Sequence, residues 1–310
     1  MKSRIFIAAA CLLCNAAACS SSNNNSGTEP KPGNGGGTIH ETVLQKYPEA
    51  GEVKVMSFNV RYGSASETNP ANNWDFRKTA CVDLIKDQKP TVVGFQEAVY
   101  NTQWLYFKAQ LADAYDGFGV GRDDGAQKGE CMGILFRKAD VEKIDGGTFW
   151  LSETPDKPSK AIGWGAGHYR SATWGLFRLK ATGRRFCYIN THLDLVAGAR
   201  AKSMELILAR FAQYNPDGHP QLLTADFNTT SGDAIFAELK KSMGLARDDA
   251  PEGHTDFNGT YNGWGAKTGI IDHVFYTKTL AVKEYHTVTE SYGSVAYVSD
   301  HYPIYAIIEL

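Results

Sequence analysis

From Glu52 onward the chain alternates between two hydrophobic periods. Val53, Val55, Ser57 and Asn59 fall on one face of an extended segment and Met56, Phe58 and Val60 on the other. The sequence therefore predicts a strand buried on both sides, with Asn59 at its carboxyl end. Over Trp74 to Gln88 the period lengthens: Ala80, Cys81, Leu84 and Ile85 recur at helical spacing, Lys78, Asp83, Lys86 and Asp87 lie opposite, and Pro90 stops the segment. Thr91 to Phe95 is again a short apolar run, and it delivers Gln96 and Glu97. Strand, amphipathic helix and strand make a βαβ unit. Such a crossover is right-handed and its strands are parallel, so both carboxyl ends meet at one sheet edge and Asn59 and Glu97 should be neighbours.

The second half repeats the scheme. Phe186 to Asn190 reads as a strand leading to Thr191, His192 and Asp194. A helix from about Ala197 turns Ala201, Met204, Ile207, Leu208 and Phe211 inward, and Gln221 to Asn228 forms the next strand, so that His192, Asp226 and Asn228 converge. Between the halves, Phe118 to Gly121, Met132 to Phe136, Val141 to Trp150 and Ala172 to Leu179 read as antiparallel strands. After Asn228 come a helix near Asp233 to Ser242 and strands at Ile270 to Tyr276, Val282 to Val288 and Pro303 to Ile308. The pattern predicts an α/β fold of two packed mixed sheets with helices outside.

The ends of these strands carry the chemical signal. A single Asp or Asn after a strand ordinarily closes a turn. Here apolar runs repeatedly deliver polar or ionisable groups: Asn59, Gln96 with Glu97, His192 with Asp194, Asp226 with Asn228, and Asp272 with His273. That recurrence points to an enzyme whose site lies along one sheet edge. Asp194 reads equally as a cap for the following helix, and His273 as a packed neighbour of Asp272 on the other strand face.

Composition and charge narrow the class. The 310 residues are 43% apolar and 12% aromatic, enough for a substantial core. The formal charge is -2, and without Lys2 and Arg4 of the leader 30 basic face 34 acidic side chains, leaving -4. A protein gripping duplex nucleic acid through many phosphates usually carries a basic excess, so the balance favours small or locally held substrates. The expected assembly is a monomer. Cys11, Cys14 and Cys19 belong to the leader; Cys81, Cys131 and Cys187, an odd number in apolar segments, read as core thiols without zinc spacing.

Residues 1–18 read as a bacterial export signal: Lys2 and Arg4, an apolar run from Ile5 to Leu13, then Ala16, Ala17, Ala18 and Cys19. Small residues before a Cys resemble a lipobox, so the expectation is an exported lipoprotein whose membrane contact is a lipid anchor at Cys19. The alternative is ordinary cleavage beside an incidental Cys. Residues 19–50 form a polar tether, Ser20 to Thr38 containing only Ser, Asn, Gly, Pro, Thr, Lys and Glu, and a catalytic domain spans 51–310.

SFNV at 57–60, GFQEA at 94–98, NTHLD at 190–194, TADFN at 224–228, GIIDHVF at 269–275 and VSDHYP at 298–303 resemble, in order, the motifs of the endonuclease/exonuclease/phosphatase superfamily typified by deoxyribonuclease I. The resemblance implies a four-layer sandwich of two mixed β-sheets flanked by helices, and metal-dependent hydrolysis of a phosphomonoester or phosphodiester by in-line water attack. It implies Asn59, Glu97 and Asp300 around Mg2+, with Mn2+ able to substitute, since hard cations take oxygen ligands. It implies that Asp272 fixes the His301 tautomer, that Asp226 orients or deprotonates water, and that Asn228 and His192 contact phosphoryl oxygens. Arg61 stands where some members carry a second acidic residue, which leaves one metal or two open.

Substrate identity is thinner in the sequence. Ser152 to Ser171 is a loop of about twenty residues, longer than most and of a length that is usually functional. Within it Trp164, His168 and Arg170 offer stacking and phosphate contacts, as do Arg61 and Trp264, and plain loop packing explains these equally well. The preferred substrate is a small phosphorylated or single-stranded nucleotide molecule. A nuclease acting on DNA or RNA and a binding lipoprotein without turnover are the alternatives, while the lack of G-x-S-x-G argues against a serine hydrolase.

Overall fold

Residues 47–310 are described by a computed structural model; the leader, Cys19 and all but the last four tether residues lie outside the described residues. In chain order the strands are β1 (Glu52–Asn59), β2 (Val92–Gln96), β3 (Ala98–Val99), β4 (Tyr115–Phe118), β5 (Glu130–Cys131), β6 (Ile134–Arg137), β7 (Val141–Trp150), β8 (Ser171–Leu179), β9 (Arg185–His192), β10 (Gln221–Asp226), β11 (Met243–Leu245), β12 (Asp272–Thr277), β13 (Ala281–Thr287) and β14 (Ile304–Glu309). The helices are α1 (Trp74–Gln88), α2 (Leu105–Gln110), α3 (Ala197–Tyr214) and two single turns, α4 (Leu239–Ser242) and α5 (Ala246–Asp249).

One six-stranded sheet has the order β13-β14-β1-β2-β6-β4 and the other β11-β12-β10-β9-β8-β7, with β3 and β5 as a separate ribbon. In both sheets a parallel pair, β1 with β2 and β9 with β10, is flanked by antiparallel strands. Three apolar cores separate four layers. Met56, Phe58 and Phe95 pack outward under Ala80, Cys81, Leu84 and Ile85 of α1 and Phe107 of α2. Val53, Val55, Val92, Tyr188, Leu222 and Ile304 fill the space between the sheets. Ile189, Leu223 and Phe275 meet Met204, Ile207 and Phe211 of α3 on the far side. Helices this short are marginal alone, so what holds them is burial of one face, at about 1.5–3 kcal/mol per large side chain.

The inter-sheet layer turns polar beneath the strand ends. Asn190 on β9 donates to the carbonyls of Phe95, at 2.8 Å, and Met132, at 3.2 Å, and its Oδ1 accepts from Gln96 Nε2 at 2.7 Å and Thr224 Oγ1 at 3.1 Å. Gln96 extends the network to Ser57, and Thr224 to the Tyr188 hydroxyl. Gly94 is required here, since a Cβ would stand 2.3 Å from Asn190 Cγ. Arg77 of α1 is buried too, donating to the backbone carbonyls of Asn72, Val60 and Val298, so the helix is tied to both loops that leave the strand edge.

The sequence expectations for α1 and for the order of the large strands match this architecture, and a few elements differ. The strand expected at Phe118 to Gly121 lies earlier, at Tyr115–Phe118, because Gly119 takes a φ of +146° and the chain leaves the sheet. The helix expected at Asp233 to Ser242 is a 3-10 turn, Ala234–Phe236, followed by α4. The strand expected to run to Asn228 stops at Asp226. The two-residue ribbon strands, α2 and α5 are too short to carry a periodic signal.

The network makes a stability prediction. Asn190→Leu keeps the branched shape and heavy-atom count of the side chain but strips four buried partners, and a buried unsatisfied group costs about 1–3 kcal/mol. The variant is expected to lose about 3 kcal/mol in urea denaturation. An unchanged midpoint with unchanged slope would show that the network contributes nothing to holding the sheets.

Candidate active site

Six strands bring the candidate residues together. The parallel strands β1, β2, β9 and β10 end at Asn59, Gln96, His192 and Asp226, while the antiparallel β12 and β14 begin at the same edge, at Asp272 and just after His301. In the ladder Asp226 pairs with His192 on one side and Asp272 on the other. Where β1, β2 and β10 give way to loops the backbone is strained, Arg61, Glu97 and Asn228 having φ of 60°, 61° and 52°, and Trp264 in the 3-10 turn Gly263–Gly265 has 61°. A left-handed residue with a Cβ costs about 1 kcal/mol, and here three of them follow strand ends along one edge.

Asn59 joins the two sheets at this edge. Its Nδ2 donates to Glu97 Oε1 at 3.2 Å and to Asp226 Oδ2 at 3.0 Å, and its Oδ1 accepts from the Arg61 backbone N–H at 3.0 Å. Glu97 Oε2 accepts from the Tyr62 N–H at 2.7 Å. His301 Nδ1 lies 2.9 Å from Asp272 Oδ2, and the Thr260 hydroxyl donates to the same oxygen at 2.6 Å. The imidazole is thereby held with Nε2 facing Asp226 Oδ2, 3.7 Å away. Asn228 donates its backbone N–H to Asp226 Oδ1 at 2.9 Å, and its side-chain nitrogen lies 3.0 Å from His192 Nε2. A cavity of about 420 Å³ opens onto Arg61, Glu97, Arg170, His192, Asp226 and His301, with Leu195 and Tyr261 on its walls.

Burial and charge set the protonation states. Burial opposes a charge on His301, yet Asp272, Asp226 and Asp300 outweigh it and push its pKa up to about 10, so the ring is cationic. Burial, then the charge of Asp272, raises the pKa of Asp226. Burial, then the charges of Arg170, Arg122 and His301, holds His192 well below its ordinary value and therefore neutral. Burial also raises Asp300, against the opposing pull of His301.

The donor set fits a hard divalent cation. Donor atoms of Glu97, His192 and Asp226 lie within 4.8 Å of one another, as do those of Asp226, Asp272 and His301. Glu97, Asp226 and Asp300 line one cavity, its lining includes no cysteine, and His192 Nδ1 is buried without a hydrogen-bond partner among the described residues.

Other expected positions separate into two groups. Arg61 lines the cavity, bonded to Glu67 at 2.8 Å and facing Asp300 at 3.5 Å, and the buried Arg170 lines it opposite Asp194. Trp164, His168 and Trp264 are not among the lining residues: Trp164 packs on Ala161, Ala166 and Ala199, and the Trp264 ring covers Arg77 at 5.1 Å. Asp194 caps the turn before α3 by accepting from the Val196 N–H, and His273 sits among Phe227, Phe236 and Phe275 with its pKa lowered to about 4 by burial. Sequence reasoning missed Thr260, Tyr261, Glu67 and Leu195. Thr260 and Tyr261 stand in the TYNG stretch, whose Gly and Asn announce a turn but not its position over His301.

The profile of the Endonuclease/Exonuclease/phosphatase family matches residues 56–301. A crystal structure of a family protein from Bacteroides vulgatus is 34% identical, with a TM-score of 0.75, covering 84% of this chain and 99% of that one. The mannosyl-6-phosphatase of Bacteroides thetaiotaomicron is 30% identical, with a TM-score of 0.76 and coverage of 83% and 100%. An uncharacterised protein of Acanthamoeba polyphaga mimivirus is 25% identical over 275 residues, 83% of this chain and 100% of its own length. The family's members are hydrolases and typically depend on a divalent metal. The motif order, the four layers and the shared strand edge agree with that match, and the chain belongs to the endonuclease/exonuclease/phosphatase family of phosphoric ester hydrolases.

Proposed function

We propose that the protein is a Mg2+-dependent phosphatase of small phosphorylated molecules, acting by direct in-line attack of water. The observation that carries this reading is the convergence of Glu97, Asp226, Asp272 and Asp300 with His192, Asn228 and His301 around one cavity of about 420 Å³. Such a volume takes a phosphate and a compact leaving group. The resemblance to a protein named mannosyl-6-phosphatase favours a phosphomonoester over a polymer. A single-stranded nucleotide end remains within the same substrate class.

In this mechanism Glu97 and Asp300 would hold Mg2+, with Mn2+ able to substitute, while Asn59 fixes Glu97 against Asp226. When bound, the ion supplies positive charge that neutralises the phosphoryl oxygens. Asp226, whose proton affinity burial raises, orients the attacking water and accepts its proton. Asn228 and His192 hold a non-bridging oxygen as charge develops there. His301, cationic and fixed by Asp272, donates from Nε2 toward oxygens around phosphorus. Arg170 and Arg61 contribute positive charge at the cavity wall. No side chain forms a bond to phosphorus.

Turnover of a phosphoester panel is expected to vanish in excess chelator and return with Mg2+ or Mn2+, and Glu97→Gln should raise the half-saturating metal concentration by about 10- to 100-fold at unchanged circular dichroism. Full turnover of metal-stripped protein would sink the reading; duplex DNA or RNA as the best substrate in the same panel would move it to the nuclease branch.

His301→Ala and Asp272→Asn are each expected to remove most activity, about 100-fold or more, with the double variant little worse than His301→Ala, because residues acting as a unit are non-additive. Additive losses in kcat/KM would show that Asp272 does not act through His301.

Outside the described residues, Cys19 is proposed as the lipid-anchored N-terminus of the exported enzyme, on the strength of the leader and tether composition. Cys19→Ser should move the protein from the membrane to the soluble fraction. Wild-type protein found only in soluble fractions would exclude the anchor.

A further inference from the structure

The cavity has a charged floor, but one wall is apolar. Leu195 lines the catalytic cavity and is 69% exposed. Val196 beside it is 40% exposed, and Ile162, on the 3-10 turn Ile162–Trp164, is 76% exposed. Single exposed aliphatics are ordinary; two in succession, the first lining a polar cavity and the second lying against a turn that exposes a third, are less so.

These side chains are held rigidly. The Arg200 guanidinium donates to the carbonyls of Asp194, at 3.2 Å, and Leu195, at 2.7 Å, and the Asp194 carboxylate accepts from the Val196 N–H at 3.0 Å. The 3-10 turn is pinned on the other side by Ala161, Ala166 and Trp164 packing on Ala199 of α3. Gly165 lies against Val196, since a Cβ there would meet Val196 Cγ1 at 3.7 Å. The turn and the segment before α3 thus form one surface, and Leu195 continues it into the cavity.

We propose that this rim is the leaving-group subsite, and that it selects phosphoesters whose alcohol carries an apolar or planar face. The inference rests on the hydrolase reading above. The phosphate goes among the polar groups, His192, Asn228, Asp226 and Arg170 included, and Leu195 is the exposed aliphatic residue of the lining, so an alcohol extending outward from the phosphate meets it. An apolar contact of about one or two methylenes at such a wall discriminates roughly 10- to 200-fold. A small polyol gains nothing from it.

The test uses paired compounds sharing one phosphate chemistry. For turnover, kcat/KM is measured for hexyl phosphate and glycerol phosphate with Mg2+; for binding, hexylphosphonate and methylphosphonate are titrated calorimetrically. Wild type should favour the hexyl member of each pair about 10-fold, and Leu195→Ser should erase most of that ratio. A binding preference that disappears in Leu195→Ser, without turnover of any ester, would keep the rim and overturn the hydrolase reading. Turnover with equal ratios in wild type and variants would do the reverse. Loss of phosphatidylcholine vesicle binding in Leu195→Ser, with unchanged ratios, would reassign the rim to a lipid surface and overturn the proposal.

Discussion

Everything at the active edge depends on two sheets meeting in one register, and the Asn190 amide enforces that register. A purely apolar inter-sheet layer can slide by a side chain at modest cost, because hydrophobic burial is non-directional. Three directional hydrogen bonds across the layer, to the Phe95 and Met132 carbonyls and from the Gln96 amide, cannot. One step further along the strands, Asn59 repeats the device, bonding Glu97 of one sheet's edge to Asp226 of the other's. The inner amide aligns the layers and the outer one aligns the carboxylates. Gly94 admits the inner amide by having no side chain.

A buried cluster of carboxylates is costly unless cations and donors share the site. The chain supplies several. His301 lies between Asp272 and Asp226, Arg61 faces Asp300 and Glu67, and backbone N–H groups of Tyr62 and Asn228 point at Glu97 and Asp226. The last two donors and the placement of Glu97 come from left-handed backbone or the turns beside it, so the strain at Arg61, Glu97 and Asn228 aims groups at the edge. The remaining negative charge suits a divalent cation.

Specificity is drawn from other material. The floor of the cavity comes from strand ends, which the sheets fix, whereas its walls come from loops anchored on α3 and on β12. Loops can change side chains without disturbing the ladder, so one edge chemistry can be joined to different walls. Leu195 illustrates the division: it follows the NTHLD strand end, yet its exposed side chain belongs to the cavity wall.

The sequence by itself determined the βαβ units, the buried strand faces, the helix Trp74–Gln88 and the set of polar strand ends. These were legible because hydrophobic period and chain direction are local properties: once two strands are parallel, their ends must share an edge. Motif order then implied the chemistry of Glu97, Asp226, Asp272 and His301. Tertiary structure alone decided which loop side chains join those strand ends around the cavity. Trp164 and Trp264 had the composition of substrate contacts, but one packs on alanines and the other covers Arg77, while Leu195 and Thr260 had no motif to mark them. A loop's direction is set by contacts with residues distant in sequence, here Ala199 for one loop and Asp272 for the other. No periodicity along the chain encodes those contacts.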